Sequence, residues 1–231
     1  MICPLSPAHF VGLAAFHACA VLLFLDPALA PLPLAAFLLC MGIAPFLTGV
    51  SFFLPITTRG KRGERGVSLT FDDGPDPEVT PRVLDVLDTA GARASFFCIG
   101  RRVRAHPGLC RDIVARGHRV ENHGDSHSSA FAAFGYKRMQ ADIAACQATI
   151  ADVTGQSPRF FRPTAGLRSP LLDPVLARLD LRLATWTRRG FDTRSGDPHR
   201  IYSRLAAGLA AGDILLLHDG HAARTVDGRA V

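Results

Sequence analysis

From Val67 onward the chain alternates short runs of β-branched and aromatic residues with longer amphipathic stretches closed by glycine, and that alternation narrows the fold more than any other feature. VSLTF, ASFFCIG, HRVENH, PRFFRP, LRLATWT and DILLLH read as strands. TPRVLDVLDTAG, PGLCRDIVARGH and MQADIAACQATIADVTG read as helices; in the first of these Val83, Leu84 and Leu87 share a face. Repeated strand–helix units specify a parallel sheet, either open or closed into a barrel. Polar residues gather where these strands end, and that is where a parallel α/β barrel keeps its active site.

The first 58 residues have a different texture. They hold no Lys or Arg and one acid, Asp26, whereas all 26 basic residues lie from Arg59 onward. Two apolar runs, 10–25 and 32–54, flank the turn sequence DPALAP. The second is long enough for the roughly 20-residue helix that crosses a bilayer, and the first, which carries His17, is near the short limit. A cleaved signal peptide is the alternative, but no positive region precedes the first run and a second run follows at once. The expectation is a two-helix membrane segment over 1–58 and an α/β domain over 67–231, with a lipid bilayer as a partner. Arg59, Lys61, Arg62 and Arg65 follow the second run, so the positive-inside rule puts the domain on the cytoplasmic face.

The net charge of +6 is carried by scattered arginines with no recognition motif, which argues against a nucleic-acid partner. Cys3, Cys19, Cys40, Cys98, Cys110 and Cys146 show no CxxC spacing and read as buried free thiols, in keeping with a reducing compartment.

The strand ends carry the chemistry. SLTFDDGPDP places Asp72 and Asp73 side by side at the end of an apolar run. Two buried like charges need a counter-charge, which a divalent metal supplies. The Gly74-Pro75 turn can re-aim one carboxylate, so that one binds metal while the other stays free. NHGDSH spaces His123 and His127 four apart, which on a helical turn puts two imidazoles on one face. Asp, His and His then form a facial triad with open positions, and with zinc such a site polarises a carbonyl and activates a water. Arg162, Trp186 with Asp192, and His218 follow at later strand ends. Each piece alone has a plain structural reading: a turn, a surface histidine pair, a salt bridge, a packed indole, a core histidine. Their order along successive strands is what argues for a site.

These motifs, running in order from about Val67 to His221, resemble the polysaccharide deacetylase family, which includes the NodB-type chitooligosaccharide deacetylases. SLTFDDGPDP resembles the first motif of that family and NHGDSH the second. FFRP resembles the start of the third, the Trp186–Asp192 spacing the fourth, and LLLHDG the fifth. The resemblance implies a distorted, incomplete parallel (β/α) barrel and metal-dependent removal of N-acetyl, or O-acetyl, groups from a carbohydrate. It implies Asp72 as general base, Asp73 with His123 and His127 as ligands of a divalent metal, most simply Zn2+, and His218 as general acid. Arg162 would hold Asp72 ionised, Asp192 would orient His218, and Trp186, Gly166 and Leu216 would contact the sugar. The third-motif backbone, with the metal, would stabilise the oxyanion. The substrate expected is an N-acetylated oligo- or polysaccharide or a lipid-linked sugar. The alternatives are another amide or ester hydrolase acting on a glycolipid or small molecule, and a non-catalytic relative.

Four departures from the family pattern stand out. Gly124 replaces a usual Ser or Thr, from which a looser brace around the metal loop is expected. Thr164 and Ala165 stand where a proline and an aromatic are common. Thr193 replaces a frequent Trp, and Arg189 a frequent acid. Family members usually continue past the fifth motif with a helix and a closing strand, so a C-terminally shortened domain is expected.

Overall fold

The computed structural model describes residues 5–223 except 48, 54, 61, 62 and 64. The domain is built on eight parallel strands: β1 (Ile56–Thr57), β2 (Ser68–Asp72), β3 (Ala94–Cys98), β4 (Arg119–Asn122), β5 (Phe160–Phe161), β6 (Arg182–Ala184), β7 (Arg188–Arg189) and β8 (Ile214–His218). Their order is β1-β6-β5-β4-β3-β2-β8-β7. Curling follows from this order. β6 and β7 stand six strand steps apart, roughly 29 Å across a flat sheet. The chain from Ala184 to Arg188 spans at most about 14 Å. The sheet therefore wraps into a half-barrel, with residues 182–189 drawing its two sides together. The expected barrel class is what forms. The two-residue strands β1 and β7 carry no apolar run and lie outside the sequence expectation.

Alternation along each strand separates two environments. On β2, Thr70 and Asp72 face the barrel interior, where both meet Arg162, while Phe71 faces outward into a core with Leu84, Phe96, Cys98, Ile113 and Ile150. The helices behind that core are α3 (Val79–Thr89), α4 (Gly100–Ala105), α5 (Pro107–Ala115) and α6 (Tyr136–Thr154), the last closed by Gly155 in the left-handed region (φ 70°). Cys98, Cys110 and Cys146 are buried free thiols in this layer; Cys3 lies outside the described residues. A second core joins Phe161, Leu183, Met139 and Ile143 to α7 (Leu172–Arg178) and to Ala8, Ala44 and Phe53 of the leader. The amphipathic α8 (Pro198–Ala206), capped by the Asp197 side chain, precedes β8.

The leader forms α1 (Pro7–Leu25) and α2 (Pro31–Ile43). The structure reverses the expected lengths. α1 is long and apolar enough to cross a membrane, although an N-terminal signal sequence has the same character. The second run stops being α-helical at Ile43, where Ala44–Phe46 form a 3-10 turn around Pro45, and Phe52 and Phe53 fold back onto the domain. Proline lacks the donor that would continue the helix.

Candidate functional site

Strand register sets the height of the site. Asp72 lies beside His218 on β8 and beside Phe97 on β3, and Cys98 lies beside Asn122, so the strands end at one level. Asp72 ends its strand in extended backbone. Asp73 turns into the left-handed region (φ 74°), which Asp tolerates better than most residues. That turn brings both carboxylates to one pit. A side chain at Gly74 would collide with the Asp219 carboxylate, so the turn admits only glycine there.

Asp73, His123 and His127 each offer one ligand atom, all within 4.8 Å of one another. Asp73 Oδ1 lies 2.9 Å from His127 Nε2 and 3.3 Å from His123 Nε2. His123 Nδ1 lies 2.7 Å from the Arg162 carbonyl oxygen, which can only accept; Nδ1 therefore carries a proton, and Nε2, facing Asp73, donates to it when the ring is charged and offers a lone pair to a cation when the ring is neutral. Two imidazole nitrogens and a carboxylate, with open space beside them, form a donor set suited to a divalent cation. Burial alone would raise the Asp73 carboxyl, but hydrogen bonds from His123 and His127, and their charge, hold it far below the usual carboxylate range.

The two imidazoles do not share a helical turn, contrary to the reading of their spacing. They meet across a loop in which Gly124 (φ 78°) and His127 (φ 49°) are left-handed. Nor is that loop loose at Gly124. Asn122 Oδ1 accepts from the Gly124 N–H (2.8 Å), and the Asp142 carboxylate accepts from the N–H groups of Asp125 and Ser126 (3.0 Å each). A Cβ on residue 124 would stand 2.8 Å from Asp142 Oδ2. A carboxylate reaching in from α6 holds the loop here.

Asp72, buried, accepts from Arg162 Nη1 at 2.6 Å; the same nitrogen reaches Thr70 Oγ1, and Nη2 donates to the Thr185 carbonyl. Across the pit, Asp192 takes both the backbone N–H of His218 (2.6 Å) and its Nδ1–H (2.8 Å). Burial pushes the His218 imidazole down, but the hydrogen bond and charge of Asp192 outweigh it and raise the imidazole above its ordinary value. A cavity of about 210 Å³ lies between these groups. Asp72, Asp73, His123, His127, His218, Trp186, Gly166 and Leu216 all line it, while Arg162 and Asp192 stand behind Asp72 and His218.

Arg189, Thr193 and His221 also line the cavity. The sequence flagged the first two only as departures and passed over the third. Arg102 Nη2 can only donate to His221 Nε2 (3.0 Å), so His221 Nδ1–H donates to Asp73 Oδ2 (3.2 Å) and steadies the carboxylate from outside. Its place in the run HDGH, three residues after His218, was the available signal.

The sequence profile described as Polysaccharide deacetylase matches residues 59–184. A chitooligosaccharide deacetylase from Bradyrhizobium sp. is 35% identical over 159 residues, covering 69% of this chain and 73% of its own. The family 4 carbohydrate esterase from Streptomyces lividans, solved with acetate, superposes with a TM-score of 0.64 at 32% identity, over 67% of this chain and 79% of that one. A mutant of a CE4 family pseudoenzyme with restored activity superposes with a TM-score of 0.68 at 25% identity, over 71% of this chain and 60% of that one. Motifs, curled parallel sheet and profile converge, and the chain belongs to the polysaccharide deacetylase family.

Proposed function

We propose that the chain is a metal-dependent hydrolase that removes the N-acetyl group from a carbohydrate. The observation that carries this reading is the pit itself: a buried Asp paired with Arg, a buried His paired with Asp, and an Asp–His–His ligand set between them. Asp73, His123 and His127 would hold the cation, most simply Zn2+. When bound, the ion supplies a polarised acetyl carbonyl and a more acidic water. The Arg162 guanidinium pairs with Asp72 and orients it, and Asp72 takes a proton from the attacking water. His218, protonated on Nε2 and held by Asp192 through Nδ1, gives its proton to the departing sugar nitrogen. Water thereby adds across the amide and yields acetate and a free amine. Trp186, Leu216 and Gly166 form the walls that position the sugar.

Relatives of the chain named as chitooligosaccharide and peptidoglycan N-acetylglucosamine deacetylases support an N-acetylated saccharide as the substrate class. The division at residues 58 and 67 is retained as a proposal: an apolar anchor, then the hydrolase domain. The basic residues from Arg59 to Arg65 support placing that domain on the cytoplasmic face.

Asp72→Asn tests the base. It should retain the bound metal and lose about 10²–10⁴-fold in kcat. Full activity in that variant would refute the assignment.

A further inference from the structure

Two features of the cleft serve no step of the chemistry above. The first is Arg168, whose side chain is buried two residues beyond Gly166. Its guanidinium donates to three backbone carbonyls of the leader: Ala44 (3.0 Å), Val50 (2.9 Å) and Leu47. Among the described residues no carboxylate pairs with it, so its charge is answered by carbonyl dipoles where α2 ends. A single residue, Leu167, separates the clamp from the cleft wall at Gly166, at most about 7 Å of chain. Leu38, Leu39, Ile43, Phe46, Leu47 and Val50 turn exposed apolar side chains outward along the clamped segment. The Ala8 N–H also bonds to the Phe52 carbonyl, and Ala8 and Phe53 pack in one core with Phe161 and Leu183, so both ends of the hairpin are fastened to the domain with the Asp26–Ala30 turn between them.

The second is Arg189. It lines the cleft beside Trp186 and Phe191, 5.6 and 5.0 Å from their ring centroids. Its Nε is buried without a partner, and among the described residues no carboxylate pairs with its guanidinium. A guanidinium that meets two aromatic rings but no carboxylate inside a cleft suits an anionic group on the ligand.

We propose that the cleft is fixed at a bilayer surface by the Arg168 clamp and takes an acetylated sugar joined through phosphate to a membrane lipid, with Arg189 meeting the phosphate. This rests on the deacetylase reading. Water cleaves the acetyl C–N bond, acetate leaves, and the phosphate linkage is untouched.

Trp186 is the sole tryptophan and lines the cleft, so it reports position without any turnover. The full chain in phospholipid vesicles should lose Trp186 emission with head-group spin-labelled lipid and keep it with lipid brominated near the acyl terminus. Unquenched emission with the head-group probe would overturn the placement. Arg168→Lys, which keeps the charge but cannot span three carbonyls, should weaken the quenching; unchanged quenching would remove the clamp from the account. In the same vesicles, metal-loaded protein should release acetate from polyprenyl-phosphate-linked N-acetylglucosamine at least tenfold faster, in kcat/KM, than from N-acetylglucosamine 1-phosphate. The latter should exceed diacetylchitobiose, and Arg189→Gln should raise KM for both phosphorylated compounds without altering metal content. Equal rates on the lipid-linked and free phosphates would overturn the lipid, and equal rates on all three the phosphate. No acetate from any of them, with quenching intact, would overturn the deacetylase reading and this substrate with it while leaving the cleft at the membrane.

Discussion

At the scale of single residues, the site separates two acid–base partners by giving each a different counter-ion. Arg162 binds Asp72, and Asp192 binds His218. In the proposed reaction His218 gives a proton to the leaving nitrogen, and Asp192 lifts its pKa above the ordinary value near 6.5. The same proton stabilises the fold. A raised histidine contributes fully below about 6.5, and the contribution is lost as pH rises through the folded-state value. Asp192→Asn removes the charge that raises His218. The alkaline limb of kcat/KM should therefore move to lower pH, and melting temperature should become less dependent on pH above 6.5. A limb that stayed in place would separate Asp192 from the acid's pKa. Asp72, Asp73, His123, Arg162 and His218, which meet in the pit, were legible because they are polar at the ends of strands. Arg168 was not: its partners lie more than a hundred residues away, and nothing local marks it.

At the scale of elements, the loop between β4 and α6 holds both imidazoles, and α6 braces it. Asp142 accepts two loop N–H groups, and Gly124 leaves the space that this carboxylate needs. Asp142→Ala should keep the fold and weaken zinc affinity about 10–100-fold, as loss of supporting hydrogen bonds does at metal sites. Titration with a chromophoric chelator would read this; undiminished affinity would mean that Asn122 alone holds the loop. Spacing suggested a helical turn for His123 and His127 because i, i+4 is also helix spacing; the glycine between them allows a left-handed bend instead. The strands β2, β3 and β8 were legible from their apolar runs, whereas β1 and β7 are two-residue pairings that no such run marks. The lengths of α1 and α2 were misjudged because apolarity continues past Pro45 while the helix does not.

At the scale of the whole molecule, the curled sheet brings together groups from its β2, β4 and β8 ends that are far apart in sequence. A cation bound there ties β2 to the β4 loop and so favours the folded state over the unfolded chain. Free metal at about 1,000 times Kd should add about 4 kcal/mol of stability. Chelation should lower the melting temperature accordingly, and His127→Ala should abolish that response while the apo protein still folds. The most direct test of the central claim pairs metal content with acetate release. One divalent ion per purified chain is expected, with acetate released from an N-acetylated saccharide, loss of that release on chelation, and its return with zinc. A folded chain that binds no metal, or whose acetate release survives chelation, would contradict it.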